Sequence, residues 1–165
     1  MNKIIIVVFA VLSFSCDEEP DNAIYQVFDG ITHGAVLRTL AVTSPTFDVV
    51  NLSSYFELEI EEQDEEFGEL LSNVEVFIST SGISEALVST IPASDFVTSD
   101  NGLPSTFIRI TLQEALNALG LPNDGVACGD RMVIRLNVNL TDGRSFTNTD
   151  ASGSLQGSYF RSPYI

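Results

Sequence analysis

Polar and apolar positions alternate along most of this chain with a period of two, the spacing of strands that bury one face. Residues 55–61 (YFELEIE) set Phe56, Leu58 and Ile60 on one side and Glu57, Glu59 and Glu61 on the other. Residues 131–140 (RMVIRLNVNL) alternate over ten positions, with Met132, Ile134, Leu136, Val138 and Leu140 as the apolar face. Val133 is the one apolar residue on its polar side. Further strands are expected at 35–42, 74–79, 86–91 and 106–110, and a last extended stretch at 155–164. Asp142-Gly143 follows the long strand, and Asp-Gly between extended runs predicts a two-residue hairpin with a type I′ turn.

One stretch changes period. In 111–120 (TLQEALNALG), Leu112, Ala115, Leu116 and Leu119 fall at i, i+3, i+4 and i+7, the apolar stripe of a short helix. Thr111 and Glu114 have capping-box spacing, Gly120 suits the left-handed position past the end, and Pro122 stops propagation. The stripe is expected to plug one end of a sheet pair. Seven or so short strands with one connecting helix near 112–119 predict an all-β fold, an antiparallel immunoglobulin-like sandwich of two sheets. No Cys-Trp-Cys spacing is present, so an antibody-type domain is excluded.

The amino terminus breaks the pattern differently. Lys3 precedes a continuous apolar run at 4–12 (IIIVVFAVL), and Ser13 and Ser15 precede Cys16. That is the order of a secretory signal, and the run is too short for the roughly 20 residues of a membrane span. Cys16 then reads as a lipoprotein cysteine, acylated on its thiol and new amine after removal of 1–15. Several inserted chains make a stable anchor where one would not. Ser13 stands where a lipobox usually has an aliphatic residue. Residues 16–33 read as a lipidated acidic tether, and 34–165 as a single sandwich domain, a size ordinary for one core.

Charge narrows the partners. Twenty-three acids face seven bases, and Lys3 is the only lysine. Without residues 1–15 the six arginines leave a net charge of −17. Such a field repels phosphates, so a nucleic-acid partner is excluded, while a basic protein, a cation or simple colloidal stability fits.

Candidate chemistry is sparse. Eight acids crowd positions 57–69, with no base between Arg38 and Arg109. Glu61, Glu62, Asp64 and Glu66 are weak calcium candidates, because calcium takes six to eight oxygens, but the EF-hand spacing is absent. The competing expectation is a solvated edge strand that discourages sheet-to-sheet pairing. Cys128, the only thiol left once Cys16 is acylated, has no intrachain partner and is expected to be buried as a small hydrophobe. His33 is the sole histidine and sits in a polar segment, which leaves no Ser-His-Asp or multi-His zinc pattern. No catalytic residue is assigned, and no cofactor beyond calcium. With no tryptophan, a glycan platform would depend on Tyr25, Tyr55, Phe77, Tyr159 or Tyr164.

Three segments (AIYQVFDGITHGAVLRTL, FELEIEEQDEEFGELL and RLNVNLTDGRSFTNT) resemble an uncharacterised family of surface-exposed lipoproteins of Bacteroidetes-type bacteria, over most of the mature chain. Cys16-Asp17-Glu18-Glu19 resembles the acidic export tag of such proteins, which implies display on the outer membrane. Members of that group tend to run past the Ser-Pro-aromatic motif, which implies a shortened form here. Their wider relatives are accessory lipoproteins of the starch-utilisation type, whose first domain is often immunoglobulin-like. The expected role is a non-enzymatic spacer or interaction module for an envelope protein. The alternative is carbohydrate binding in a glycan-uptake system.

Overall fold

The structure, a computed structural model, describes residues 34–150. The signal, the tether, Cys16 with its acidic tag, His33 and the expected strand at 155–164 lie outside the described residues.

Eight strands, one α-helix and a single 3₁₀ turn (Ala93–Asp95) are described: β1 (Val36–Ser44), β2 (Tyr55–Gln63), β3 (Leu71–Thr80), β4 (Ile83–Pro92), β5 (Val97–Thr98), β6 (Pro104–Thr111), α1 (Leu112–Leu119), β7 (Met132–Leu140) and β8 (Ser145–Phe146). They form two antiparallel four-stranded sheets, ordered β1-β2-β6-β5 and β4-β3-β7-β8. In immunoglobulin lettering these are A-B-E-D and C′-C-F-G, the Greek-key order of that fold. The chain is therefore an immunoglobulin-like β-sandwich. Its helix lies in the E–F connection.

The alternation read from the sequence sorts the residues as expected. Leu58 and Ile60 of β2 meet Leu37 of β1 and Ile108 and Ile110 of β6 in one buried cluster. Val74, Val76 and Ile78 of β3 and Leu136, Val138 and Leu140 of β7 supply the facing sheet. Phe56, Met132 and Ile134 are only partly buried, because the strands they start lie at the looser end of the sandwich. The two-residue β5 has too few positions to show a period, which is why periodicity misses it.

The helix answers its capping signature in full. Thr111 Oγ1 accepts from the Glu114 N–H at 3.2 Å, and the Glu114 carboxylate accepts from the Thr111 N–H at 2.8 Å. The next free donors, the N–H groups of Leu112 and Gln113, reach the carbonyls of Ser54 and Leu52 at 2.8 and 3.0 Å. Gly120 closes the helix at φ 67°. Leu112, Ala115, Leu116 and Leu119 are all buried, so the stripe joins the core as expected. Thr111→Ala should cost about 1 kcal/mol in chemical denaturation, and Thr111→Ser should recover most of it.

The β7–β8 hairpin forms, but with a different turn. Only Gly143, at φ 88°, is left-handed there, whereas a type I′ turn would need Asp142 positive as well. Leu140 N–H donates to the Arg144 carbonyl at 2.9 Å and Gly143 N–H to the Leu140 carbonyl at 3.1 Å. The loop is thus three residues, Thr141, Asp142 and Gly143. Asp142 is used otherwise: its carboxylate accepts from the Arg144 backbone N–H at 2.9 Å and from its guanidinium at 2.7 Å.

Candidate functional site

The acidic stretch is not a solvated edge. β2 lies between β1 and β6, so its outward carboxylates are flanked on both sides. Glu57 accepts from Thr43 Oγ1 at 2.7 Å and pairs with Arg109 at 3.7 Å. The Arg109 guanidinium in turn lies 3.6 Å above the centre of the Tyr55 ring. Glu61 is buried on the outer face beneath the turn that follows β5. It pairs with Arg38 of β1 and accepts from Ser99 Oγ at 2.6 Å and Asn101 Nδ2 at 2.9 Å. Burial opposes its charge, but the hydrogen bonds of Ser99 and Asn101 and the Arg38 guanidinium outweigh it. The carboxyl is held below the usual range.

Glu62 goes the other way. It shares the inward face with Leu58 and Ile60, has 0% exposure, and neither of its carboxylate oxygens meets a hydrogen-bond partner. Burial first, and the charge of Asp64 second, push its pKa up to about 8.

Two residues on, the chain turns. Asp64, itself buried, holds that turn from inside: Oδ1 accepts from the N–H groups of Glu66 and Gly68, both at 2.8 Å, and Oδ2 from Leu70 at 2.9 Å. Gly68 stands at φ +93°, and a Cβ there would come within 2.2 Å of the Pro104 ring and 3.4 Å of a Glu62 oxygen. Only glycine fits this crossing. Phe67, at φ 57°, is the one non-glycine left-handed residue among the described residues and projects outward at 73% exposure.

The four calcium candidates therefore part company. Glu61 lies on the outer face, Glu62 in the interior, Asp64 inside the turn with its oxygens on backbone donors, and Glu66 in the open. Among the described residues no group of three or more His, Cys, Asp or Glu side chains is placed to hold a metal ion.

Cys128 is exposed rather than buried. The segment 121–131 is held at the surface by its own turns, Gly125 N–H to the Pro122 carbonyl at 2.8 Å and Asp130 N–H to the Ala127 carbonyl at 3.1 Å. Asp130 also accepts from the Ala127 N–H at 2.8 Å. A cysteine between two such turn residues has no path to the core.

That segment forms one wall of a cavity of about 1190 Å³ between the sheets at the looser end of the sandwich. Val42, Phe47, Phe56 and Leu58 line it from the β1–β2 side, and Met132 and Ile134 from β7. Asp48, Asp130 and Arg131 supply its charged lining residues. Leu112, the first residue of α1, also contributes to the lining. Periodicity assigned Phe56, Leu58, Leu112, Met132 and Ile134 to apolar faces and gave no sign that the sheets part there.

The outward face of the second sheet is a polar ladder. Asn137 donates to Glu75 at 2.9 Å, and Asn139 donates to Asn73 at 2.9 Å and Glu75 at 3.1 Å. Hydrogen bonds from Asn137 and Asn139 hold the Glu75 carboxyl below the usual range. Beside it Arg135 binds Glu85 through Nε and Nη2 at 2.7 and 2.6 Å and lies 4.4 Å above the Phe77 ring.

Comparison with known proteins finds no matching family model, no matching curated protein and no matching solved structure. Among the described residues no helix is long and apolar enough to cross a membrane.

Proposed function

We propose that this chain is a non-enzymatic lipoprotein, anchored in the outer membrane through Cys16 and displayed at the surface, whose sandwich is an interaction module for another envelope protein. The address rests on Lys3, the apolar run at 4–12, Cys16 and Asp17-Glu18-Glu19. The observation that carries the module reading is the apolar cavity between the sheets. Phe47, Phe56, Met132 and Ile134 are left only partly buried there, and Val42 is exposed. Partly covered apolar surface of this kind is characteristic of interaction sites.

Cys16→Ala should move the protein from the membrane fraction to the soluble one, and a variant that stays bound removes the anchor. A photo-crosslinker at Val42 of the lipidated protein should capture one envelope protein, and a crosslinker at Glu114 on the exposed side of α1 should not. Equal capture at both positions, or none at either, removes the module reading.

Carbohydrate binding is the second reading. It is favoured by the row of Asn73, Glu75, Asn137 and Asn139, whose amides and carboxylate suit sugar hydroxyls. Against it, the rings of Tyr55 and Phe77 both lie beneath guanidinium groups rather than open to a stacking sugar. Glycan-array binding that disappears in Asn137→Ala would place it first.

A further inference from the structure

Glu62 is the one buried side chain among the described residues whose carboxylate has both oxygens without a hydrogen-bond partner. A carboxyl so placed is tolerable in its neutral form and strongly unfavourable as an anion. Among the described residues its surroundings offer no compensating cation. Its neighbour on β1 is Leu37, and β6 begins at Pro104, which lies against Gly68 over the same carboxyl. Arg38 is committed to Glu61 on the opposite face of the strand. Arg144 of the β7–β8 hairpin binds Glu65 and Asp142. Glu66 and Glu69 stand exposed in the turn itself, and Asp64 adds repulsion. Lifting of the turn above it would bring an ionised Glu62 to water.

We propose that Glu62 is a proton-controlled latch on the 64–70 turn. Uncharged, it lets the turn close over the end of the sandwich. On losing its proton to solvent hydroxide it becomes a buried anion, and the turn swings away so that water can reach it. The turn is built for such a movement. It is held by three hydrogen bonds to a single side chain, Asp64, by the left-handed pair Phe67 and Gly68, and by three long backbone bonds, Phe67 N–H to the Asp64 carbonyl at 3.4 Å, Glu69 N–H to Glu66 at 3.2 Å and Leu71 N–H to Gly68 at 3.4 Å. Both of its ends are tied to the hairpin, the far one by Thr141 N–H on the Leu70 carbonyl at 2.8 Å and the near one by Arg144 on Glu65 at 2.5 Å. Opening therefore loosens the hairpin as well, and the signal reaches the edge of the second sheet.

The latch is tested by chymotrypsin cleavage of the full chain after Phe67, read by mass spectrometry at pH 7 and pH 9. Rates are normalised to a small peptide substrate to remove the protease's own pH response. Cleavage after Phe107, on strand β6, is followed in the same digests as the monitor of whole-domain unfolding. The expected result, with each site's rate taken relative to its rate in the unfolded chain, is cleavage after Phe67 well above cleavage after Phe107 at both pH values, a rise of about tenfold after Phe67 between them, and a flat profile in Glu62→Gln. A flat wild-type profile, an equal rise in Glu62→Gln, or equal relative rates after Phe67 and Phe107, which would mean cleavage through whole-domain unfolding, would each overturn the proposal.

Discussion

Glu62→Met should raise the stability of the domain, by an amount that grows with pH. In the unfolded chain Glu62 loses its proton near the ordinary 4.5, whereas in the folded domain it holds that proton to about 8. Below 4.5 both states are protonated and the group contributes no pH dependence. Between 4.5 and 8 only the unfolded state ionises, so folded stability falls by about 1.4 kcal/mol per pH unit. Above 8 both states are ionised and the loss, on the order of 5 kcal/mol, is complete. Methionine removes this slope and fills the same space with a flexible apolar chain. Its advantage at pH 8 should reach several kcal/mol, or roughly 10 °C in Tm, and should shrink towards pH 4.5. Glu62→Gln should abolish the slope with a smaller gain, because the amide stays buried without partners. The difference between wild type and variant isolates the effect from Glu61, Glu75, Glu85 and Glu114, whose carboxyls are all held below the usual range. Those four contribute in the opposite sense, with stability present above about 4.5 and lost as pH falls below it. Identical pH–stability curves for wild type and Glu62→Met would refute the assignment.

Asp64→Ala should be among the most damaging single changes outside the apolar core. One carboxylate satisfies three backbone donors across a turn that covers the end of the sandwich. Its loss leaves three part-buried N–H groups without acceptors, and hydrogen bonds to a charged group contribute about 1.5–3 kcal/mol each. Some of those donors will find water once the turn loosens, so an overall loss of about 3–4 kcal/mol is expected. Asp64→Asn keeps one accepting oxygen and should fall between the two. Urea denaturation at pH 6 reads both. A loss below about 1 kcal/mol for the alanine variant would mean that the turn holds itself without Asp64.

The two sites differ in how far they could be read from sequence. Period two assigned Leu58, Ile60, Leu136, Val138 and Leu140 to the interior correctly, because each alternates with polar neighbours over a long run. Thr111, Glu114 and Gly120 were equally plain, since a capping box and a left-handed glycine are local chemistry within ten residues. The Glu61-Glu62 doublet carried a signal that composition hid. On a strand, adjacent residues face opposite ways, so one acid of the pair has to point inward. Charge density suggested that the whole stretch was solvated, and the register shows otherwise.

The remaining features depend on where distant segments meet. Arg38, Ser99 and Asn101 lie far from Glu61 in sequence and reach it only because β1 pairs with β2 and the turn after β5 folds over that face. The cavity depends on how far two sheets separate, and alternation along single strands does not encode that distance. Cys128 was misread for a related reason: a residue preference for burial yields where two local turns keep the backbone at the surface.

The Greek-key order also has a kinetic consequence. The second sheet is built around the pairing of β3 with β7, whose residues Glu75 and Asn137 touch across 62 positions of chain. No stretch ending before residue 132 contains both of those strands, so a chain emerging from its amino terminus can assemble β1, β2 and β6 and the β3–β4 hairpin, but not the central pair of the second sheet. Sandwiches dominated by such distant pairings commonly fold in milliseconds to seconds. For that interval after synthesis the second sheet is limited to the β3–β4 hairpin, and one edge of β3 waits for the partner that β7 later supplies.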